Sequence, residues 1–271
     1  MELSVRRIIN SINYRLVGPL TGRNEGNWAS KTDFRKTHRT QFKNLKATYS
    51  IDEAARIAVG GEFEAVGILL RETLIHHGLK KSDYLIDVGC GSGRLAKPLA
   101  EYLTGNYLGI DVVPKLIDYA RKLVNRPDWR FEIAKGLTIP EEDGKADMVS
   151  FFSVLTHLLH EESYVYLSEA KRVLKPGGKV VLSFLDFGVA DHWGVFENNV
   201  RDIGASSNPL NVFIGPDMLR EWARHLDFEV EVIKDGDEPY VPLSQPLRFE
   251  NGRVWKELAP FGQSLCVLAR K

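Results

Sequence analysis

The residues best equipped for chemistry in this chain of 271 residues stand where an apolar run meets three glycines, Asp83-Tyr84-Leu85-Ile86-Asp87-Val88-Gly89-Cys90-Gly91-Ser92-Gly93-Arg94. Tyr84, Leu85, Ile86 and Val88 read as a buried parallel strand. Leu95, Leu99 and Leu103 then share one face of a helix. A strand that turns through glycines into a helix aims backbone N–H groups at a ligand beside the helix N-terminus. The spacing is Gly-x-Gly-x-Gly with Asp87 two places ahead. A dinucleotide fingerprint is Gly-x-Gly-x-x-Gly, its third glycine seating the helix under a pyrophosphate, so a nicotinamide dehydrogenase is disfavoured. A second apolar strand, Tyr107-Leu108-Gly109-Ile110-Asp111, ends in an acid 18 residues after Gly93. An acid at that place accepts hydrogen bonds from ribose hydroxyls.

A second set of groups could move protons. His157 and His160 follow the run Asp147-Met148-Val149-Ser150-Phe151-Phe152, and Asp186, Asp191 and His192 follow Val180-Val181-Leu182. A base matters where an alcohol attacks, because its proton must leave. Each of these side chains has a structural reading as well, as a histidine or acid bonded locally. No Cys-x-x-Cys or His-Glu-x-x-His occurs, and Asp186, Asp191 and Asn198 do not assemble a metal set, so no metal is expected.

The elements that must hold these residues alternate. Strands are expected near 84–88, 106–111, 129–133, 147–152 and 179–185, and helices over 94–103, 114–124 and 161–174. Such βα alternation predicts a parallel sheet covered on both faces. Upstream, Ser50-Ile51-Asp52-Glu53 has capping-box form. A helix from about Glu62 to His77 places Phe63, Val66, Leu70 and Leu74 on its core face. Residues 1–20 carry Val5, Ile8, Ile9, Ile12 and Leu16 at helical spacing with arginines between, and residues 21–48 read as polar and irregular. Downstream, residues 186–214 form a long aromatic and polar connection, of the kind that carries function at a sheet edge. A helix starts at Pro216, strands lie near 228–234 and 264–269, and residues 236–262 hold four prolines and read as a surface insertion.

The order of these motifs over roughly residues 80–185 resembles class I S-adenosylmethionine-dependent methyltransferases. The glycine loop matches the family's first motif and Asp111 its second. Lys171-Arg172-Val173-Leu174-Lys175-Pro176-Gly177-Gly178 followed by Lys179–Leu182 matches its late helix, Pro-Gly-Gly turn and fifth strand. The resemblance implies a doubly wound, mostly parallel seven-stranded α/β sheet, the Rossmann-like methyltransferase fold, with an N-terminal helical extension. Residues 1–78 would be that extension and a lid, and residues 79–271 the domain that binds S-adenosylmethionine. It further implies that Gly89, Cys90, Gly91 and Gly93 meet the methionine part, with Asp87 holding the loop or the ligand's amino group. Asp111 would take the ribose hydroxyls and Val112 would pack on the adenine. Phe152 and Ser153 would lie beneath the sulfonium. His157 is a histidine common in that loop, and with Asp186 and His192 completes the candidate catalytic set. Arg94 either pairs with the ligand carboxylate or faces solvent. One position departs from the pattern. Many members place an acid after the third strand, to accept from the adenine amino group. Here that segment is Ala134-Lys135-Gly136-Leu137, and a lysine offers no acceptor. Adenine recognition is expected to rest on the backbone near Gly136 and on apolar packing.

Composition narrows the function further. Hydrophobic residues make up 44% and charged residues 27%, ordinary for a globular protein. Two cysteines suggest a reduced compartment, and a cytoplasmic location is expected. No run is long enough to span a membrane. The zero net charge is uneven: residues 1–50 hold ten Lys or Arg against three acids. That arm either meets an anionic partner or folds back on the acidic body, and residues 1–17 could contact a membrane surface. The function expected is methyl transfer to a small-molecule hydroxyl or amine. Two alternatives stand beside it: an RNA or protein methyltransferase using the basic arm, and a protein that binds S-adenosylmethionine without catalysis. The fourth-strand motif is not the Asp/Asn-Pro-Pro-Tyr/Phe of members that methylate nucleic-acid amino groups, which argues against a nucleic acid partner.

Overall fold

The structure, a computed structural model, describes residues 34–60, 62–201, 210–250 and 252–271. The helix expected over 1–20 and the membrane contact through 1–17 lie outside the described residues. The irregular segment expected over 21–48 is corrected for its second half, where α1 spans Phe34–Thr48. Lysines and arginines mask a short apolar stripe there. Phe42 is buried, and with Leu45 beside it packs on Ala54, Ala55, Val113 and Leu116. Helix α2 (Ile51–Ile57) opens as the capping motif predicts: Glu53 N–H donates to Ser50 Oγ at 3.2 Å and Ser50 N–H donates to Glu53 Oε2 at 3.0 Å. Arg56 then bridges Asp52 and Glu64, tying α2 to α3 (Phe63–His76).

Seven strands form one sheet in the order β3-β2-β1-β4-β5-β11-β6. They are β1 (Leu85–Val88), β2 (Tyr107–Asp111), β3 (Arg130–Ile133), β4 (Ala146–Phe151), β5 (Leu174–Phe184), β6 (Phe228–Lys234) and β11 (Ser264–Arg270). β1 to β5 pair in parallel, and β11 runs antiparallel to both β5 and β6. The period of two along each strand sorts the core. Leu85, Tyr107, Met148 and Val181 face α3, α4 (Ala96–Leu99) and α5 (Pro114–Val124). Ile86, Leu108, Val149 and Val180 face α6 (His160–Val173) and α8 (Pro216–His225). Each fully buried Leu, Ile, Val or Phe contributes about 1.5–3 kcal/mol. A sheet covered on both faces leaves only its strand ends for a ligand. The chain leaves β1 for β2 on one side and returns to β4 on the other, which opens a crevice at the carboxyl ends of these strands.

The late connections are more ordered than their composition suggests. Residues 186–214 contain α7 (Ala190–Arg201). The insertion at 236–262 pairs β7 (Pro239–Pro242) with β10 (Leu258–Pro260) and β8 (Leu247–Arg248) with β9 (Val254–Trp255). Val241, Leu247 and Ala259 bury against Ala65 and Leu69 of α3. Among the described residues no helix is long and apolar enough to cross a membrane.

Candidate functional site

A cavity of about 400 Å³ opens at the carboxyl ends of β1, β2 and β4, within the size range of small-molecule sites. Its floor is the glycine loop. Gly89, Gly91 and Gly93 have φ of 79°, 54° and 85°, a region that only glycine adopts without strain. Space is tight as well: a Cβ at Gly89 would overlap Val154, and one at Gly91 would stand 2.6 Å from Val59 Cγ1. Gly93 is not part of the cavity wall. It seats α5, where an added Cβ would lie 3.1 Å from that of Ala120.

Asp111 joins the loops after β1 and β2. Its Oδ2 accepts from Gly91 N–H at 3.0 Å and its Oδ1 from Val113 N–H at 2.8 Å. Each carboxylate oxygen keeps a second acceptor site, which suits a vicinal diol. Burial pushes the Asp111 carboxyl up to about 6, opposed by the amides of Val113, Gly91 and Val112. Asp87 is deeper. The Ser150 hydroxyl donates to its Oδ1 at 2.9 Å and the Tyr107 hydroxyl to its Oδ2 at 2.8 Å. Burial raises it too to about 6, opposed first by those hydroxyls. Arg94 lines the cavity, and burial lowers its guanidinium to about 10 while Asp87 opposes the shift. Cys90 lines the same wall, but burial holds its thiol far above the range where it ionises.

The other end of the cavity is polar. Ser153, at φ 57°, donates its N–H to Ser183 Oγ at 2.8 Å. The Ser183 hydroxyl donates in turn to Gln263 Oε1 at 2.7 Å, and the Ser153 hydroxyl donates to the same oxygen at 3.2 Å. With Oε1 taken by two donors, the Gln263 amide has only N–H groups to offer a ligand. His157 lies in a 3₁₀ turn (Leu155–His157), and its Nδ1–H donates to the Leu210 carbonyl at 2.7 Å. That fixes Nε2 as the unprotonated nitrogen of the neutral ring. The ring of His38, from α1, meets His157 edge-on at 5.0 Å. Burial lowers the imidazolium of His157, and burial and then the His157 charge lower His38 to about 4. Both rings are therefore neutral near pH 7.

The structure brings Asp87, Gly89, Cys90, Gly91, Asp111, Val112, Phe152, Ser153 and His157 to this one cavity. It does not bring Asp186 or His192 there, so their expected place at the chemistry is corrected. His192 is buried, accepts Asp186 N–H on Nδ1 at 3.0 Å and donates from Nε2 to the Gly262 carbonyl at 3.1 Å. Asp186 accepts from Gly188 N–H at 3.0 Å. His192 thereby ties the loop after β5 to the insertion, and Asp186 closes a turn within that loop. His160 likewise bonds the Phe213 carbonyl at 3.1 Å. Gly136 sits behind the cavity wall. Its carbonyl accepts from the Tyr166 hydroxyl at 2.9 Å, and Tyr166 is the residue that lines the cavity. Of the extension expected to form a lid, Gly60 lines the cavity, Tyr49 is exposed and Phe63 is core. His38, Gln41, Tyr166 and Gln263 were not expected from the sequence. The stripe of His38, Gln41, Phe42 and Leu45 at helical spacing was a readable signal. Gln263 had none, because the antiparallel return of β11 delivers it. Among the described residues no group of three or more His, Cys, Asp or Glu could hold a metal ion.

Residues 86–182 match the family model described as "Methyltransferase domain". The chain is 29% identical over 156 residues to the ubiquinone biosynthesis O-methyltransferase of Xanthomonas oryzae pv. oryzae, covering 54% of this chain and 63% of that protein. It is 28% identical over 144 residues to the tocopherol O-methyltransferase of Arabidopsis thaliana, covering 49% of this chain and 41% of that protein. The chain thus spans less than two thirds of either relative. The solved structure of magnesium protoporphyrin IX methyltransferase from Synechocystis, with S-adenosylhomocysteine bound, superposes with a TM-score of 0.56 at 15% identity, covering 88% of this chain and 100% of that one. At that identity the likeness speaks for the fold, and the expected mostly parallel seven-stranded sheet is the one observed.

Proposed function

We propose that residues 86–182, which match the methyltransferase-domain model, form a class I S-adenosylmethionine-dependent methyltransferase domain and that the protein methylates a hydroxyl group of a small molecule. The observation that carries this reading is the continuity of one cavity, from Asp111 and the glycine loop to His157, Ser153 and Gln263. The donor set fits S-adenosylmethionine. Asp111 would take the ribose hydroxyls, Arg94 and the loop amides the amino-acid end, and Val112, Val113, Leu116 and Ala134 the adenine faces. The Tyr166 hydroxyl stands in for the acid missing at Lys135. When bound, the sulfonium supplies a methyl group activated toward displacement.

The chain's residues then have three tasks. The first is alignment, since a nucleophile held in line behind the methyl carbon gains most of its acceleration from position. The second is proton removal: His157 Nε2 takes the hydroxyl proton as the oxygen attacks. The third is selection. An oxygen nucleophile has two lone pairs, one to aim at the methyl and one to accept from the Gln263 amide. An amine has a single lone pair and would leave that donor unmet. The names of the two curated relatives, both O-methyltransferases, point the same way.

The test is to follow S-adenosylhomocysteine formation with matched panels of phenols, alcohols and amines. Hydroxyl acceptors should turn over. His157→Gln should lower kcat by roughly 10²–10⁴-fold while S-adenosylhomocysteine binding stays unchanged. Turnover of amines alone, or full activity in His157→Gln, would contradict the proposal.

A further inference from the structure

Two surface features beside the cavity have no task in methyl transfer. Helix α1 carries Arg35, Lys36, Arg39, Lys43 and Lys46 and no acid. Its inner side gives His38 and Gln41 to the cavity and Phe42 to the core. Lys36, Arg39, Lys43 and Lys46 are exposed on its outer side. Arg39 Nε donates to the Val112 carbonyl at 3.0 Å, which fastens this cationic helix to the cavity wall. Around α7, Phe187 and Trp193 are 50% and 46% exposed, and Val200 two turns on from Trp193 is 53% exposed. Phe187 stacks on Phe213 at 4.4 Å and Trp193 meets Phe196 at 5.0 Å. One chain of contacts links the two flanks. His157 touches His38 of α1 and bonds the Leu210 carbonyl. The next residue, Asn211, donates from its side-chain amide to Asn199 Oδ1 of α7 at 3.0 Å, and Asn199 Nδ2 donates to the Asn211 backbone carbonyl at 3.4 Å.

We infer that this rim, with the cations of α1 on one flank and the aromatic cluster of α7 on the other, docks on the surface of an anionic lipid bilayer. Lys and Arg near such a surface are drawn to its head groups, and Trp and Phe partition into the interfacial layer. The aromatic flank is built for shallow insertion and not for base stacking. A base needs an open ring face, whereas Phe187 is covered by Phe213 and its neighbours meet it edge-on. Among the described residues, α7 carries a single Lys or Arg against the five of α1. On the aromatic flank Arg201 is committed to Glu197 at 3.3 Å, which leaves no basic track for a phosphate backbone there. This docking is independent of the methyl acceptor's identity.

The experiment is co-sedimentation of the full chain with vesicles of phosphatidylcholine alone or mixed with phosphatidylglycerol. Binding should require phosphatidylglycerol and weaken with salt. Lys43→Gln and Lys46→Gln should each weaken it about fivefold, and Trp193→Ser should weaken it further. S-adenosylhomocysteine titrations on the same samples should be unchanged, separating loss of docking from damage to the cavity. Equal binding to both vesicle types, binding indifferent to all three substitutions, or retention by a single-stranded RNA in preference to the vesicles would overturn the inference.

Discussion

Asp111 shows how one residue's surroundings set a measurable property. Burial raises its carboxyl to about 6, and protonation turns one of its two acceptor oxygens into a donor, so the ionised form accepts a vicinal diol better. S-adenosylhomocysteine affinity should therefore fall as pH drops below about 6, approaching tenfold per unit. Asp111→Asn should remove that step and weaken binding at neutral pH by about 1.5–3 kcal/mol, read by calorimetry across pH. An unchanged pH profile in the variant would assign the step elsewhere. Unfolding should not mask the effect, because the linked groups oppose one another. Asp87 and Asp111, raised from 3.8 to about 6, contribute stability that is full below pH 3.8 and lost as pH rises through 6. His38 and His77, lowered from 6.5 to about 4, do the reverse, since the unfolded chain binds their protons more tightly and stability rises with pH across that window.

At the scale of elements, what was legible followed from local chemistry. The capping box at Ser50 and Glu53, the strand ending at Asp111 and the helix opening at Pro114 each announce themselves within a few residues. What was hidden depends on distant chain. α1 reads as polar until α2 and α5 give Phe42 a surface to cover. Gln263 reaches the cavity only through the antiparallel register of β11 on β5, where Ser264 stands beside Phe184. His192 and Asp186 were expected at the chemistry because they follow the fifth strand. Their geometry gives His192 a packing task instead, and a substitution separates the two roles. His192→Ala leaves the buried Asp186 N–H and the Gly262 carbonyl without their partner. It should lower stability by about 1–3 kcal/mol, measured by urea unfolding, with S-adenosylhomocysteine affinity and kcat retained. A large loss of kcat at full stability would restore His192 to the reaction.

Across the whole molecule, the topology decides where chemistry can occur. Two buried faces consume nearly all the apolar side chains of the sheet. The reversal between β2-β1 and β4 leaves one crevice, and α1 covers it with His38 and Gln41. Of the ten Lys or Arg in residues 1–50, five lie on this covering helix. The central claim is that the nucleoside end and the reacting end share that crevice. The most direct measurement is a crystal structure of the full chain grown with S-adenosylhomocysteine. The account predicts the ribose hydroxyls on Asp111, the amino-acid end over Gly89–Gly91, and the sulfur turned toward Ser153 and His157. A nucleoside bound outside this cavity, or a sulfur facing away from His157, would contradict it.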